Sequence, residues 1–447
     1  MDYRVEKDTL GEVKVPADRL WGAQTQRSLE NFRVGNDLMP TEIIRAFALI
    51  KKAAAITNAK LGVLESEKAD RISVACDEIY AGKHDEEFPL TVWQTGSGTQ
   101  TNMNLNEVIA HMTGLHPNDD VNRSQSTNDV FPSAIHVAAV ILAENALVPA
   151  MEALRDTLAG LSEKYAGLIK TGRTHLQDAT PLTLGQEISA WEEMLTESIA
   201  RIASATDELR CLALGGTAVG TGIGAPSEFA PVAAEVLSSL AGIEFSTAPN
   251  KFHALSSKSA LTSWHGALKT LATDLYKMAS DVRLLASGPR AGIGEISIPA
   301  NEPGSSIMPG KVNPTQCEMM TMVCARVIGS DVTMGFANSQ GQLQLNVFMP
   351  VIAHTAIESA GLLADAIASF NANCIAGLKP NPETISNNLK NSLMLVTALS
   401  PRLGYDIAAE IAKYAYEHGV TLKESAVGRG LISEQEFDKL ADPAKLV

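Results

Sequence analysis

Apolar residues recur at helical spacing along most of the chain. The clearest case lies between residues 255 and 286, where the spacing alternates between three and four positions. The apolar positions are Leu261, Trp264, Leu268, Leu271, Leu275, Met278, Val282 and Leu285. This heptad pattern predicts a long helix, and its apolar stripe calls for partner helices.

The same periodicity predicts further helices. Their ranges are 42–61, 65–81, 132–168, 182–214, 316–338 and 347–378. Gly82 fits a C-cap of the second range, and Pro149 is a site for a kink in the third. Residues 1 to about 40, which include Pro16 and Pro40, are predicted to be irregular. The middle of the chain is therefore predicted to be a bundle of about five long helices.

Breaks in the helical pattern suggest three domains. The segment K-P-N-P-E-T at 379–384 interrupts the pattern and separates the bundle from a helical tail. We expect a mostly helical N-terminal domain at 1–127, a central long-helix bundle at 128–378 and a small helical C-terminal domain at 379–447. The predicted fold class is mainly α.

Composition and charge narrow the classes of function. A length of 447 residues exceeds one ordinary core, and an aromatic content of only 5% favours close-packed helices. The net charge of -15 argues against a nucleic-acid binder, because such proteins neutralise phosphates with Lys and Arg. An acidic chain that binds an anion needs a locally positive pocket.

Other patterns bear on compartment and cofactors. The five cysteines show no C-x-x-C spacing, which favours a reduced, cytoplasmic setting. The N-terminus has no apolar signal core. The sequence also contains no stretch of 18 apolar residues that is free of charged side chains, so no membrane segment is predicted. The G-T-G-I-G at 220–224 follows no strand pattern, and the nine histidines include no H-E-x-x-H. Neither a dinucleotide cofactor nor a metal is predicted.

Residues 301–318, N-E-P-G-S-S-I-M-P-G-K-V-N-P-T-Q-C-E, are the densest in chemical groups. The prolines and glycines exclude a helix or central strand over the first part of this stretch. Its polar side chains are those of Ser305, Ser306, Lys311, Asn313 and Glu318. Hydroxyls, an amide, a cation and backbone N–H groups in one loop suit a small anion. A loop of solvated polar residues fits the composition about equally well.

Two further polar segments are candidates for binding an anion. The turn around Ser97, Gly98 and Thr99 is rich in donors and is followed by alternate asparagines at 102, 104 and 106. Ser126, Thr127 and Asn128 stand just before a helix predicted to begin near Phe131, where the helix dipole favours an anion. Simple helix capping explains both segments without any ligand.

A third segment, T-G-R-T-H-L-Q-D-A-T-P at 171–181, contains Thr174 and His175. Histidine is the side chain best suited to moving protons near neutral pH. A lone histidine next to an apolar residue is more often structural, and this one gains weight because it is one of several donor-rich loops.

Helix length constrains where these loops lie. A helix from Phe131 to Leu168 is roughly 55 Å long, so the S-T-N-D and His175 loops are expected at opposite ends of the bundle. An up-down path then puts G-G-T-A-V-G-T-G at 215–222 near the S-T-N-D end and the Ser305 loop near the His175 end. If one pocket uses both ends, a second subunit must complete it. We therefore predict a homotetramer of two-fold symmetry with shared active sites.

The motifs G-S-S-I-M-P-G-K-V-N-P-T-Q-C-E and G-R-T-H-L-Q-D-A-T-P, which continues to G-Q-E-I-S-A-W, resemble the class II fumarate hydratases of the fumarase/aspartase superfamily. The similarity runs from R-V-E-K-D-T-L-G to L-G-Y-D, nearly the whole chain. It implies a three-domain, fumarase/aspartase-like fold whose central bundle assembles into a multi-helix core in the oligomer. The implied reaction is reversible hydration of fumarate to (S)-malate through an aci-carboxylate intermediate, in the tricarboxylic acid cycle and without a cofactor.

The resemblance also implies roles for residues. Ser305 would take the C3 proton, His175 would act on the leaving hydroxyl or water, and Glu318 would support protonated His175. The implied substrate-binding residues are Ser97, Gly98, Thr99, Ser126, Thr127, Asn128, Thr174, Ser306, Lys311 and Asn313. His116, Asn118 and Asp119 match part of a second anion site, although the basic stretch that family members often carry beside it is missing.

Two other functions remain open at this point. Aspartate ammonia-lyase shares the elimination chemistry and the serine loop, but aspartases typically carry Gln at the position of His175. A structural or binding protein on a lyase scaffold is the other alternative, and the joint presence of Ser305, Lys311, Asn313, His175 and Asn128 argues against a dead site.

Overall fold

The computed structural model describes residues 2–447 and is mainly helical, as predicted. Within this range the strands form four two-stranded sheets, each of them small. The chain divides into two compact units. Unit 1 comprises residues up to 149 together with 198–272 and 323–365, and unit 2 comprises 150–197, 273–322 and 366–447.

The first 31 residues contain regular structure, so the prediction of an irregular segment was wrong there. Strands β1 (Tyr3–Asp8) and β2 (Gly11–Pro16) form an antiparallel hairpin, and helix α1 (Ala23–Asn31) follows. The residues of the two strands alternate between more and less exposed positions, which is the period-two pattern of a half-buried strand. The Arg27 guanidinium bonds the Asp8 carboxylate at 2.7 Å and ties α1 to the hairpin.

Helices α2 (Thr41–Lys60) and α3 (Ser66–Tyr80) agree closely with the predicted ranges. Helix α4 (Thr99–Thr113) had no predicted range. Gly82 has φ +76°, two residues past the end of α3, in the left-handed region that glycine adopts without steric cost.

Five long helices follow, as predicted. They are α5 (Thr127–Lys164), α6 (Leu184–Leu209), α8 (Ser259–Leu285), α9 (Thr315–Asn338) and α10 (Met349–Asn373), with the shorter α7 (Phe229–Ala241) between α6 and α8. All eight residues of the predicted heptad pattern on α8 are buried. The Trp264 indole N–H also donates to Thr206 Oγ1 of α6 at 3.1 Å, so α6 is one of the partner helices that the apolar stripe of α8 requires.

Helix α5 differs from its prediction in two details. It begins at Thr127 rather than near Phe131, because Ser126 and Asp129 form a reciprocal capping box that starts the helix earlier. A π-helical turn, Ala143–Leu147, ends two residues before Pro149. Proline has no N–H for the carbonyl four residues before it, and the wider turn accommodates that loss without ending the helix.

Beyond the bundle, unit 2 contains a hairpin and the helical tail. Strands β3 (Ile169–Thr174) and β4 (Gln177–Thr183) pair antiparallel. The tail contains α11 (Pro382–Asn391), α12 (Tyr405–His418), α13 (Leu422–Gly428) and α14 (Glu434–Leu440). Buried apolar residues that include Leu399, Ile411 and Phe437 give the tail a core of its own.

Among residues 2–447, two helices are long and apolar enough to cross a membrane by length and composition alone, namely α5 and the stretch Met349–Gly377. Half or more of the apolar window is buried within the protein in each case, 50% and 61% respectively. Core helices of soluble proteins meet the same criterion, so this observation is weak evidence for a membrane span.

Candidate active site

The first candidate residues in unit 1 lie in the tight turn before α4. Gly98 has φ +74°, and a Cβ there would come within 2.1 Å of a phenylalanine ring of α5. A Cβ at Gly96 would come within 1.6 Å of a backbone carbonyl oxygen. Both positions therefore require glycine. The turn brings the hydroxyls of Ser97 and Thr99 to 2.8 Å from each other, so both are presented together.

The second group lies at the start of α5. Ser126 Oγ accepts the backbone N–H of Asn128 at 3.2 Å, and Asp129 Oδ1 accepts that of Ser126 at 2.9 Å. Thr127 and Asn128 therefore lie in the first helical turn. The positive end of the helix dipole makes this turn favourable for an anion.

The loop at 215–222 packs against the same helix start. The backbone N–H groups of Gly215 and Thr217 donate to Asp129 Oδ2 at 2.8 and 2.9 Å, and Asn128 Nδ2 donates to the Ala218 carbonyl at 2.8 Å. Burial raises the pKa of the Asp129 carboxyl, against the lowering effect of its backbone N–H bonds. The prediction that this loop lies at the S-T-N-D end is confirmed.

A buried set of polar side chains lies behind these loops and was missed by sequence reasoning. Lys51 Nζ donates to Asn122 Oδ1 at 2.8 Å. Asn102 Nδ2 donates to the same oxygen at 3.3 Å and to Thr127 Oγ1 at 3.0 Å. The unusual asparagines at the start of α4 were the only signal in the sequence.

In unit 2, Thr174 and His175 lie on the β3–β4 hairpin rather than in an irregular loop. His175 and Leu176 form its two-residue turn, with φ of +56° and +58°. Such turns usually take Asn-Gly, because both central residues adopt left-handed conformations. The sequence therefore carried no turn signal here, and the imidazole is presented at the exposed tip of the hairpin.

A buried ionic cluster holds strand β3 of this hairpin. The Arg173 guanidinium binds Glu295 through two bonds of 2.8 and 3.1 Å, and Lys170 Nζ lies 3.1 Å from the same carboxylate. Asn388 Nδ2 donates to it at 3.0 Å. Burial by itself raises the pKa of the Glu295 carboxyl, but the bonds from Arg173 and the charge of Lys170 outweigh it and leave the pKa lowered.

The Ser305 loop is held by bonds within itself. Ser305 Oγ accepts the backbone N–H groups of Ile307 at 3.3 Å and Met308 at 3.0 Å. The Asn313 amide donates to the Gly304 carbonyl at 2.6 Å and closes the loop. Two amide donors on one serine oxygen are the arrangement that stabilises negative charge there.

Close backbone approach accounts for the glycine next to this serine. A Cβ at Gly304 would come within 2.2 Å of the Lys311 carbonyl oxygen. Ser306 and Lys311 are exposed on the loop, while Asn313 is half-buried. Glu318 lies in the first turn of α9, with its carboxylate 3.8 Å from the Arg283 guanidinium, so a cation already faces it within the chain.

His116, Asn118 and Asp119 lie at a short π-helical segment, Pro117–Val121. The His116 Nδ1 accepts the Asp119 backbone N–H at 3.0 Å and lies 3.3 Å from its carboxylate. His116 and Asn118 line a cleft of about 600 Å³. Its charged lining residues are Arg4, Lys7, Glu6, Asp8 and Glu107. The carboxylates outnumber the Arg and Lys side chains, so the cleft is not locally positive.

The candidate residues fall into two sets. Unit 1 holds Ser97, Gly98, Thr99, Ser126, Thr127 and Asn128 as well as His116, Asn118 and Asp119, and unit 2 holds Thr174, His175, Ser305, Ser306, Lys311, Asn313 and Glu318. Within residues 2–447 no group of three or more His, Cys, Asp or Glu side chains is arranged to hold a metal ion.

Comparison with known proteins gives consistent family matches. The lyase family model matches residues 11–329, and the model of the fumarase C C-terminus matches residues 395–447. The chain is 56% identical to the class II fumarate hydratase of Bacillus subtilis and 58% identical to that of Bacillus anthracis, covering 100% of this chain and 99% of each relative.

A solved structure is similar over the same extent. The class II fumarase from Schistosoma mansoni superposes with a TM-score of 0.96 at 42% identity. The superposition covers 99% of this chain and 98% of that one. The similarity in sequence and the similarity in fold therefore both extend over nearly the full length of the chain.

Proposed function

Because the chain belongs to the class II fumarate hydratases, a lyase family, we propose how its own residues carry out that reaction. The reaction is the reversible hydration of fumarate to (S)-malate, and the usual role of the family is in the tricarboxylic acid cycle. In the dehydrating direction the enzyme removes a weakly acidic C3 proton beside a carboxylate. The product of that step is a dianionic aci-carboxylate.

Ser305 is the base in this proposal. A serine hydroxyl is ordinarily too weak a base for such a proton, so its oxyanion has to be stabilised in advance. The two backbone N–H groups that bond Ser305 Oγ are the observation that carries the assignment. Lys311, exposed on the same loop, supplies the positive charge for the developing dianion, and Asn313 holds the loop closed.

His175 acts on the hydroxyl group that leaves C2 in the proposed mechanism. It protonates the departing hydroxyl, directly or through a bound water, and Glu318 stabilises the imidazolium. Thr174 and Ser306 bind substrate beside these groups. The carboxylates of the substrate are held by Ser97, Thr99, Ser126, Thr127 and Asn128, where hydroxyls and the N-terminus of α5 converge.

Substrate specificity tests the reaction directly. Purified enzyme supplied with fumarate, (S)-malate or aspartate as sole substrate should interconvert the first two and release no ammonia from the third. The ultraviolet absorbance of fumarate reports all three reactions. Ammonia release with fumarate formation from aspartate would favour the aspartase alternative, and inactivity towards all three would favour a non-enzymatic role.

Replacement of His175 by Asn should lower kcat by about 10²–10⁴-fold, since the proton-transfer group is lost. Asparagine adopts the left-handed conformation more readily than histidine, so the hairpin should fold at least as well. Steady-state kinetics and thermal unfolding measure both effects.

Leu176→Asn is the matched control for His175→Asn. It makes the same backbone change in the same turn but keeps the imidazole, and Leu176 is 71% exposed. This variant should retain kcat within about twofold of the wild type. Equal losses in both variants would assign the effect to the turn and not to the imidazole.

The proposed active site is shared between subunits of a homotetramer. Its two residue sets lie in different compact units of the chain. Helix α9 also carries an exposed apolar face opposite its buried one. The exposed residues recur every three or four positions and are Met322, Ala325, Gly329, Val332 and Phe336. A helix that is apolar on two faces needs a second partner, and the small residues let another helix approach closely.

Val332→Glu should therefore dissociate the tetramer. Val332 is 75% exposed in the isolated chain, so the charge costs little unless another subunit covers it. Light scattering coupled to size-exclusion chromatography should show a mass below four times the 47.5 kDa of the chain, together with loss of activity. Val74→Glu, at another valine that is 63% exposed, should leave the assembly intact. An unchanged mass for Val332→Glu would contradict this interface.

The proposed location is the cytoplasm. All five cysteines are free thiols, four of them buried, which suits a reducing compartment. Fractionation of cells with an antibody against the enzyme tests this assignment.

A further inference from the structure

Lys51 on α2 is a fully buried cation that the proposed mechanism does not use. Its Nζ donates to Asn122 Oδ1 at 2.8 Å, which is the one hydrogen bond the structure gives to that ammonium group among residues 2–447. Placing an ammonium group in a protein interior costs free energy unless it is compensated. The burial of Lys51 therefore indicates a structural or functional role for its charge.

The charged and titratable groups that face Lys51 come from two elements. Asp129 of α5 is a buried carboxylate that attracts it, and Cys76 of α3 is a thiol whose pKa burial raises to about 12. Lys251, whose pKa burial lowers to about 8, faces Asp129 as well. Asp129 already accepts three backbone N–H bonds, so its own needs are largely met without Lys51.

The hydrogen bond from Lys51 lies at one end of a fixed order of donors and acceptors. The Asn122 amide nitrogen donates to the Gln125 carbonyl at 3.2 Å, which agrees with the same orientation of that amide. An ammonium group can only donate, so the oxygen of Asn122 must face it. The same oxygen then accepts from Asn102 Nδ2, whose amide also donates to Thr127 Oγ1. Asn102 Oδ1 is buried without a partner, so only the two N–H bonds orient this amide.

This order determines what Thr127 can do. Because its oxygen already accepts from Asn102, its own hydrogen is left to donate to a further group. A carboxylate can only accept hydrogen bonds, so a Thr127 hydroxyl fixed as a donor matches one carboxylate of the substrate. If the amides turned over, the hydroxyl hydrogen would point back at Asn102.

We propose that Lys51 is a positioning residue which, through Asn122 and Asn102, fixes the Thr127 hydroxyl as a donor to a carboxylate of the dicarboxylate substrate. The inference rests on the proposed assignment of Thr127 to substrate binding. Lys51 itself touches no substrate. A purely structural role, as counter-ion to Asp129, predicts that its loss affects folding stability alone.

Lys51→Met should raise KM for fumarate by about 10- to 100-fold, which corresponds to the loss of one hydrogen bond to a charged group. Turnover at saturation should change by less than about threefold, because the reacting groups are untouched. A lowered unfolding temperature with unchanged KM would overturn the proposal. Restoration of KM in Lys51→Arg, which also only donates, would support it.

Asn102→Leu provides the test if Lys51→Met does not fold. Leucine has the same branching and the same number of side-chain heavy atoms as asparagine, and the substitution leaves the Lys51–Asn122 bond and the charge of Lys51 beside Asp129 in place. The same rise in KM is expected, since the donor to Thr127 is lost. An unchanged KM in this variant would equally overturn the proposal.

The pH dependence of KM is a readout that a structural role does not move. Burial lowers the pKa of Lys51 to about 7, so the free enzyme holds the ammonium below that pH and loses it above. A neutral amine can also accept, and the fixed order of bonds is then lost. KM should rise with pH above about 7 in the wild type. Lys51→Met should lack this rise while retaining Asp129, Lys251 and His175.

Thr127→Val separates failure of this inference from failure of the site. A raised KM in Thr127→Val with wild-type KM in Lys51→Met and Asn102→Leu would remove the role of Lys51 and keep Thr127 as a binding residue. A normal KM in Thr127→Val would remove the assignment of Thr127, and the role of Lys51 with it. Fumarate turnover by the wild type is measured in either case.

Discussion

Ser305→Ala is expected to lower kcat by about 10²–10⁴-fold, an effect on turnover as large as that of losing the His175 imidazole. The oxygen that accepts the backbone N–H groups of Ile307 and Met308 is deleted, and no other base is placed at that position. The Asn313 bond to Gly304 does not involve the hydroxyl, so the loop should keep its closed form. Steady-state rates in both directions measure the loss.

Ser306→Ala is the neighbouring control. It removes a hydroxyl of the same kind, one residue along the same loop, from a residue proposed to bind substrate and not to take the proton. Its main effect should fall on KM, whereas that of Ser305→Ala should fall on kcat. Equal losses of kcat in the two variants would argue against Ser305 as the base.

Ser305→Ala, combined with Asn128→Ala, also tests whether active sites are shared between subunits. Asn128→Ala and Ser305→Ala homo-oligomers should each have little activity. When the two variants are unfolded together and refolded at equal concentration, about a quarter of the sites in a random mixture combine native Asn128 with native Ser305 from different subunits. Activity should recover to about that fraction. Hybrids that are verified by differential tagging and yet remain inactive would contradict sharing.

Glu295→Gln should produce the largest loss of stability. Breaking a buried ion pair by neutralising one partner costs about 3–5 kcal/mol, because the remaining charges are left uncompensated. Here Lys170 and Arg173 both bind the fully buried Glu295 carboxylate. Lys170 also pairs with Glu187 at 2.9 Å, so the charge left without a partner is chiefly that of Arg173. The midpoint of thermal unfolding should fall accordingly. Glu410→Gln, in an exposed pair with Arg429, should shift it little.

Acid should abolish the difference between the wild type and Glu295→Gln. The pKa of Glu295 is lowered in the folded protein, so its contribution to stability is present above the ordinary carboxyl pKa, near 4.5, and is lost as the pH falls through the folded value. The unfolding midpoints of the two proteins should converge in this acidic range. A constant gap between them at all pH values would show that Glu295 acts through packing and not through its charge.

The long helices could be predicted because their signal is local and repeated. On α8 the apolar spacing alone identified eight residues that are all buried. The two hairpins could not be predicted in this way. Strand β1 is only six residues long, and the β3–β4 turn uses His-Leu, which carries no turn propensity. Pairing with the neighbouring strand, a tertiary effect, decides both.

The candidate site shows the same division between local and distant information. Gly98, Ser126 and Ser305 could be identified as turn, cap and loop residues, and the resemblance to a family supplied their roles. Lys51 was invisible, because its partner Asn122 is 71 positions away and nothing in the local pattern of α2 separates it from a surface lysine. Glu295 and Arg173 are separated by 122 positions and were missed for the same reason.

The left-handed turn at His175 and Leu176 also has an evolutionary consequence. The left-handed conformation costs a residue with a β-carbon roughly 1–2 kcal/mol of free energy, a penalty that glycine does not have. A lineage released from selection for turnover is therefore expected to drift towards Asn-Gly at these positions, gaining heat tolerance as it loses chemistry. Among class II fumarate hydratases, an Asn-Gly dipeptide at the tip of this hairpin is therefore the expected mark of a chain that no longer relies on turnover.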